Sequence, residues 1–177
     1  MENKRVENCP FCYPPITETG FAESENFLAI YNVAPILPGH SLVIPKWHLE
    51  SLLALTDSEL AEMMLFSRST VKILLETFGV GAFNWTIQEG EAAGQSVRHL
   101  HLHLIPREFG DLPRPGDWYP RLRTSEEEII DSQSRPRLTP AEMQSVLRKI
   151  RETAAKMKTT STSIPPKSPR PVLGSLE

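Results

Sequence analysis

The stretch RHLHLHLIPR, residues 98–107, sets three of the chain's five histidines, His99, His101 and His103, at every second position with leucine between them. An imidazole with an unperturbed pKa of about 6.5 is largely neutral at neutral pH, so it can attack an electrophile, exchange a proton or ligate a metal. Strict alternation is the period of a β-strand. It sends the three imidazoles to one sheet face and Leu100, Leu102 and Leu104 to a core on the other. A solitary strand histidine is most simply a surface residue or a locally satisfied one; three in register on one face point to shared chemistry. One metal ion does not explain them all. At about 3.3 Å per residue the Cα atoms of His99 and His103 lie about 13 Å apart, whereas zinc holds its ligand nitrogens at about 2 Å. At least one histidine is left for another task.

Cys9 and Cys12 are the only cysteines. In a reducing compartment a pair so closely spaced reads as metal ligands or a redox pair rather than a structural disulfide. With 177 residues, 40% of them hydrophobic, the chain can bury one sizeable core. Its formal charge of −3 gives no general reason to expect nucleic acid. The start, MENKRVENCPFC, lacks the apolar run of a signal peptide, and no later stretch has the length of a membrane span. A cytoplasmic protein with no membrane and no nucleic-acid partner is expected.

The elements that must position these residues follow from periodicity. ENFLAIYNVAP and HSLVIP are two antiparallel strands separated by the turn-like ILPG, and AFNWTIQ pairs with the histidine run as a hairpin. Gly90 and Gly94 mark a tight loop between these last two. Between the strand pairs, apolar Leu60, Met64, Val71, Leu74, Leu75 and Phe78 suit one face of a long helix, with Thr56 and Glu59 as a capping box and Gly79 after its last turn. An α+β fold is expected, with an antiparallel sheet crossed by a long helix. EFGDLPRPGDWYPRLR reads as loop because of its proline and glycine. A second helix starts at Thr139, Pro140 and Glu142, giving a C-terminal helical extension. The expected organisation is a catalytic unit over residues 1–112, loop and helix over 113–158, and a Ser/Thr/Pro-rich disordered tail over 159–177.

GQSVRHLHLHLIPR resembles the signature of the histidine triad superfamily, and NVAPILPGHSLVIPKWH is similar to that superfamily's other hallmark. The spacing from Gln88 to the triad, with PREFGD after it, most resembles the fragile histidine triad branch, the dinucleoside polyphosphate hydrolases. The resemblance spans about residues 25–112. It implies that His101 attacks the α-phosphate and carries the nucleotide as a phosphoramidate that water then hydrolyses. His103 is expected near phosphate oxygens, with His40 setting its tautomer. The Ser96 hydroxyl and the amides of Gln95, Ser96 and Val97 would donate to phosphate, with Gly94 permitting close approach. Gln88 would bond the bridging oxygen, Asn32 a ribose hydroxyl, and Ile30 and Leu42 would flank the base.

Cys9 and Cys12 are half of a tetrahedral zinc site, and the redox alternative lacks its usual βαβ context. His48 and His99 are the candidates to complete it. Bacterial-type triad proteins are similar in carrying such an N-terminal pair, which the animal fragile branch lacks, so the chain resembles a mixture of the two. A homodimer, and Mg²⁺ arriving with the polyphosphate, are further implications. Three alternatives stand beside the hydrolase: a purine nucleoside phosphoramidase, whose branch usually has asparagine at the place of Gln88; a phosphorylase, which His103 argues against because glutamine typically stands there; and a nucleotide-binding regulatory protein with little turnover. A DNA-repair deadenylase is disfavoured because no basic patch or nucleic-acid zinc finger follows the triad.

Overall fold

Runs of β-branched and aromatic residues bounded by turns become five strands: β1 (Gly20–Glu23), β2 (Phe27–Tyr31), β3 (Ser41–Pro45), β4 (Ala82–Thr86) and β5 (Leu102–Arg107). The computed structural model describes residues 6–127 and 137–161. The strands form one sheet in the order β1-β2-β3-β5-β4 with every neighbouring pair antiparallel. The neighbouring strands β3 and β5 lie in the middle of that order: the PGH turn leads directly into β3, and the histidine run leads into β5, which holds His103. β1 was not expected from the sequence; its four residues are too few for a clear alternation.

One face of the sheet holds the main core. Phe27, Ala29, Val43, Leu100, Leu102 and Leu104 pack against Met63, Val71 and Leu74 of α1 (Asp57–Phe78). The expected capping box is present at Thr56 and Glu59, and Gly79 takes the left-handed conformation with φ 69°. The buried face of α1 is centred on Met63, Ser67, Thr70, Val71, Leu74 and Thr77, while the expected Leu60, Met64, Leu75 and Phe78 are half-buried flanks. The reason lies in size. Ser67, Thr70 and Thr77 are small enough to be buried on that face, and Thr70 and Thr77 return their hydroxyls to the carbonyls of Phe66 and Ile73.

A loop was expected after β5, but Trp118–Glu127 forms a helix, α2. Its proline content misleads because Pro115 opens the preceding turn and Pro120 lies in the first helical turn, where an amide proton has no intrahelical acceptor. Trp118 and the fully buried Leu122 anchor it. Residues 128–136 of the expected loop lie outside the described residues. α3 (Pro140–Ser161) starts at the expected Thr139–Glu142 capping box and buries Met143, Leu147 and Ile150 in the main core. Arg151 of α3 donates from Nε to the Gly20 carbonyl at 3.1 Å, which protects the β1 edge of the sheet. The helix thus runs three residues into the segment expected to be tail, and the rest of that tail, 162–177, lies outside the described residues. Among the described residues no helix is long and apolar enough to cross a membrane.

The histidine run is not wholly strand. β5 begins at Leu102, and the residues before it, which bend at 97–99, make other bonds: the Leu100 amide donates to Leu49 O and the His99 amide to Val97 O. The alternation still holds, with Leu100, Leu102 and Leu104 in the core and the imidazoles on the opposite face.

Candidate active site and metal centre

The sheet face opposite α1 and α3 carries two adjoining sites. At the first, the N-terminal segment folds back so that Cys9, Cys12, His48 and His99 place one ligand atom each within 4.8 Å of one another. Cys9 Sγ lies 3.4 Å from His99 Nδ1, Cys12 Sγ 3.4 Å from His48 Nδ1, and Cys12 Sγ 3.7 Å from His99 Nδ1. Zinc bonds of about 2.3 Å to sulfur and about 2.0–2.1 Å to nitrogen, arranged tetrahedrally, set such atoms about 3.6 Å apart, so these three separations match the edges of one tetrahedral site and the four donors, within 4.8 Å overall, could hold one ion. The outer nitrogens agree. His99 Nε2 donates to the Pro45 carbonyl at 3.2 Å and His48 Nε2 faces Glu50 Oε1 at 3.4 Å, which leaves both Nδ1 lone pairs for a cation. Burial, only partly offset by the Pro45 bond, brings the His99 pKa down to about 4, keeping the ring neutral as a ligand must be. Burial also pushes the Cys9 thiol up, so its thiolate needs a cation beside it.

The second site is the triad proper. His101 Nδ1 lies 2.7 Å from the His99 carbonyl oxygen, a group that can only accept, so Nδ1 carries the proton and the Nε2 lone pair is available. His103 has the opposite tautomer, set by a relay. The Ile36 amide donates to His40 Nδ1 at 3.3 Å, so the neutral His40 carries its proton on Nε2 and gives it to His103 Nδ1 at 3.0 Å. His103 then presents an N–H at Nε2. The rings of His101 and His103 stand 4.9 Å apart, so a lone pair and a donor sit side by side. Burial holds the His101 pKa below the ordinary imidazole value and favours the neutral nucleophilic form.

The relay depends on the turn between β2 and β3. Gly39 has φ +86°, and a Cβ there would lie 2.7 Å from Pro106 Cγ. The turn is pinned from both ends: Gly39 N–H donates to the Tyr31 hydroxyl, and Ser41 Oγ donates to the Gly39 carbonyl. His40 is consequently fully buried behind His103.

His101 and His103 open on a cavity of about 340 Å³, which Asn32, Ser96, Val97, Ile30 and Leu42 also line. Seven expected site residues therefore meet there. Besides His40 behind His103, three do not line it. Gln88 is buried and donates from Nε2 to Thr86 Oγ1 at 3.3 Å. Gly94, with φ +90°, lies over Gln88. Gln95 staples the loop, accepting from the Gly90 amide and donating to the Glu50 carbonyl. Sequence reasoning missed Pro10, Phe11, Ile16, Leu122 and Arg137, which also line it. Phe11 does carry a sequence signal, as an aromatic set between the two cysteines of the candidate metal cluster. Leu122 and Arg137 carry none, since the surrounding sequence has no pattern that ties it to the triad.

The HIT domain model matches residues 14–110, more than half of the chain. This chain belongs to the HIT family. Among its relatives, a bis(5'-nucleosyl)-tetraphosphatase of Schizosaccharomyces pombe is 37% identical over 112 residues, which is 63% of this chain and 62% of that protein. The chain therefore spans under two thirds of that relative's length. A bis(5'-adenosyl)-triphosphatase of Dictyostelium discoideum is 33% identical over 60% of this chain and 72% of its own. Among solved structures, a zinc-bound histidine triad family protein of Mycobacterium smegmatis has a TM-score of 0.61 and 27% identity over 80% of this chain and 87% of its own. The HIT match takes in the PGH turn and the whole triad, but it starts after Cys12 and ends before α2. The cysteine pair, Leu122 and Arg137 lie outside the matched region.

Proposed function

We propose that this chain hydrolyses dinucleoside polyphosphates at the α-phosphorus through a nucleotidyl intermediate on His101. The observation that carries the reading is the pair of opposite tautomers, a free lone pair on His101 beside an N–H on His103. The nucleoside lies in the cavity between Phe11, Ile16, Ile30 and Leu42, with Asn32 on the ribose. His101 Nε2 attacks phosphorus, a P–N bond forms, and the P–O bond to the remaining polyphosphate breaks. His103 and the Ser96–Val97 segment donate to the non-bridging oxygens, where charge is stabilised. Gln88, bonded to Thr86 beneath the Gly94 turn, would reach the bridging oxygen only by turning its amide out toward the cavity. Water then attacks the same phosphorus, the P–N bond breaks, and the nucleoside monophosphate leaves. Two in-line displacements give net retention.

A cavity of about 340 Å³ is near the lower end of ligand pockets, which span about 300–1,000 Å³, and suits one nucleotide with the leaving half outside. A nucleoside phosphoramidate fits the same space, so both substrates belong in the assay. In the metal centre the ion is proposed to be zinc, tying the N-terminal segment to the sheet. Mg²⁺ would accompany the polyphosphate as part of the substrate. A cytoplasmic homodimer completes the reading, with β4 as the interface because it ends the sheet and leaves Phe83 exposed. The test is to mix protein with diadenosine tetraphosphate, quench within the first turnovers and map peptides by mass. The mass of AMP on the peptide containing His101 is expected; product formation with no nucleotidylated peptide under any quench would contradict the mechanism.

A further inference from the structure

We propose that the Cys9/Cys12/His48/His99 centre, when it holds its metal, positions the His101 imidazole for attack, in addition to fastening the N-terminal segment. Two separate connections lead from the centre to the nucleophile. In the first, the residue whose Nδ1 faces the thiolates, His99, uses its own carbonyl to accept the His101 Nδ1 proton at 2.7 Å. The ring and the carbonyl belong to one residue, so fixing the ring to an ion and to the Pro45 carbonyl fixes the acceptor that selects the His101 tautomer. The second runs through Phe11. Held between Cys9 and Cys12, its ring stands edge-on to His99 with centroids 5.5 Å apart and to His101 with centroids 5.3 Å apart. Such edge contacts carry a geometric preference, so the Phe11 ring bears on the orientation of the His101 ring beside it.

Without an ion, the Cys9–Cys12 turn and the His99 ring lose the bonds that hold them together, and both connections loosen at once. A bond that orients a nucleophile acts on turnover more than on binding. The inference rests on His101 as the nucleophile for its kinetic part and on geometry alone for its spectroscopic part.

The experiment uses the full chain in three forms: zinc-loaded wild type, Cys12→Ser, and Phe11→Leu with its metal content measured. Two readouts are taken, the imidazole N–H resonance of His101 by ¹⁵N-resolved NMR and steady-state kinetics on diadenosine tetraphosphate. In zinc-loaded wild type the His101 Nδ1–H is expected as a sharp, slowly exchanging signal. Cys12→Ser is expected to broaden or shift it and to lower kcat about tenfold or more while KM moves less than about threefold. Phe11→Leu keeps its zinc and shifts the same resonance. An unchanged His101 signal in both variants would overturn the proposal and leave the centre a fastening only. If Cys12→Ser does not fold, Phe11→Leu decides by the same criterion. Should wild type turn over no dinucleotide, the hydrolase reading fails while the resonance still tests the coupling.

Discussion

At the scale of single residues, the two triad tautomers do the selecting. His103 owes its N–H to His40, so His40→Ala should lower kcat about ten- to hundredfold, with little change in KM. That is somewhat less than the about 10²–10³ typical of losing a donor to the transition state itself; steady-state kinetics would show it. The pH dependence has a definite sign. In the proposed mechanism His101 must be neutral to attack, and its pKa is lowered by burial, so kcat/KM should hold as pH falls through about 6.5 and drop only in more acid solution. An acid limb centred at or above that value would contradict a buried nucleophile. The triad, His40 and the two cysteines were legible because their types are rare and their spacing is strict. Phe11 and Ile16 were not, because an apolar residue in a short turn looks the same whether it faces a ligand or packs on a neighbour.

At the scale of elements, the site depends on turns that fix strand ends. Gly39→Ala places a Cβ against Pro106 at a positive φ, and should destabilise the protein by about 1–3 kcal/mol in denaturant unfolding while disturbing His40. The segment after β5 is stapled by Arg107, which bonds both carboxylate oxygens of Asp111 and also Asn84 Oδ1 and the Pro115 carbonyl. Both ion-pair partners are only 10% exposed, so Arg107→Ala should cost about 3–5 kcal/mol by leaving Asp111 uncompensated. The hydrogen bond from Arg107 holds the Asp111 carboxyl below its usual range. Its stabilising share is therefore fully present above about pH 4 and lost only as pH falls through the lower folded value. Strands and helices with clear periods were legible, as were both capping boxes. β1 and α2 were not: the first is too short to show a period, and the second hides its prolines where a helix tolerates them.

At the scale of the whole molecule, α1 and α3 close one face of the sheet and leave the other for chemistry, with the N-terminal segment and α2 walling the cavity. A bound ion adds to folding stability by its occupancy, so chelation should lower the thermal midpoint and zinc should restore it. Phe83→Lys on the exposed β4 edge should yield monomers by light scattering if that edge forms the dimer. The α+β class followed from alternation and helix periodicity alone, whereas the walls made by α2 and Arg137 follow from tertiary packing that no local pattern encodes. The most direct test is hydrolysis of diadenosine tetraphosphate in ¹⁸O-water by wild type and His101→Asn, with products read by mass. AMP carrying ¹⁸O, ATP without it, and no turnover in the variant are predicted. Label in ATP alone, or full activity without the His101 imidazole, would contradict attack by His101 at the α-phosphorus.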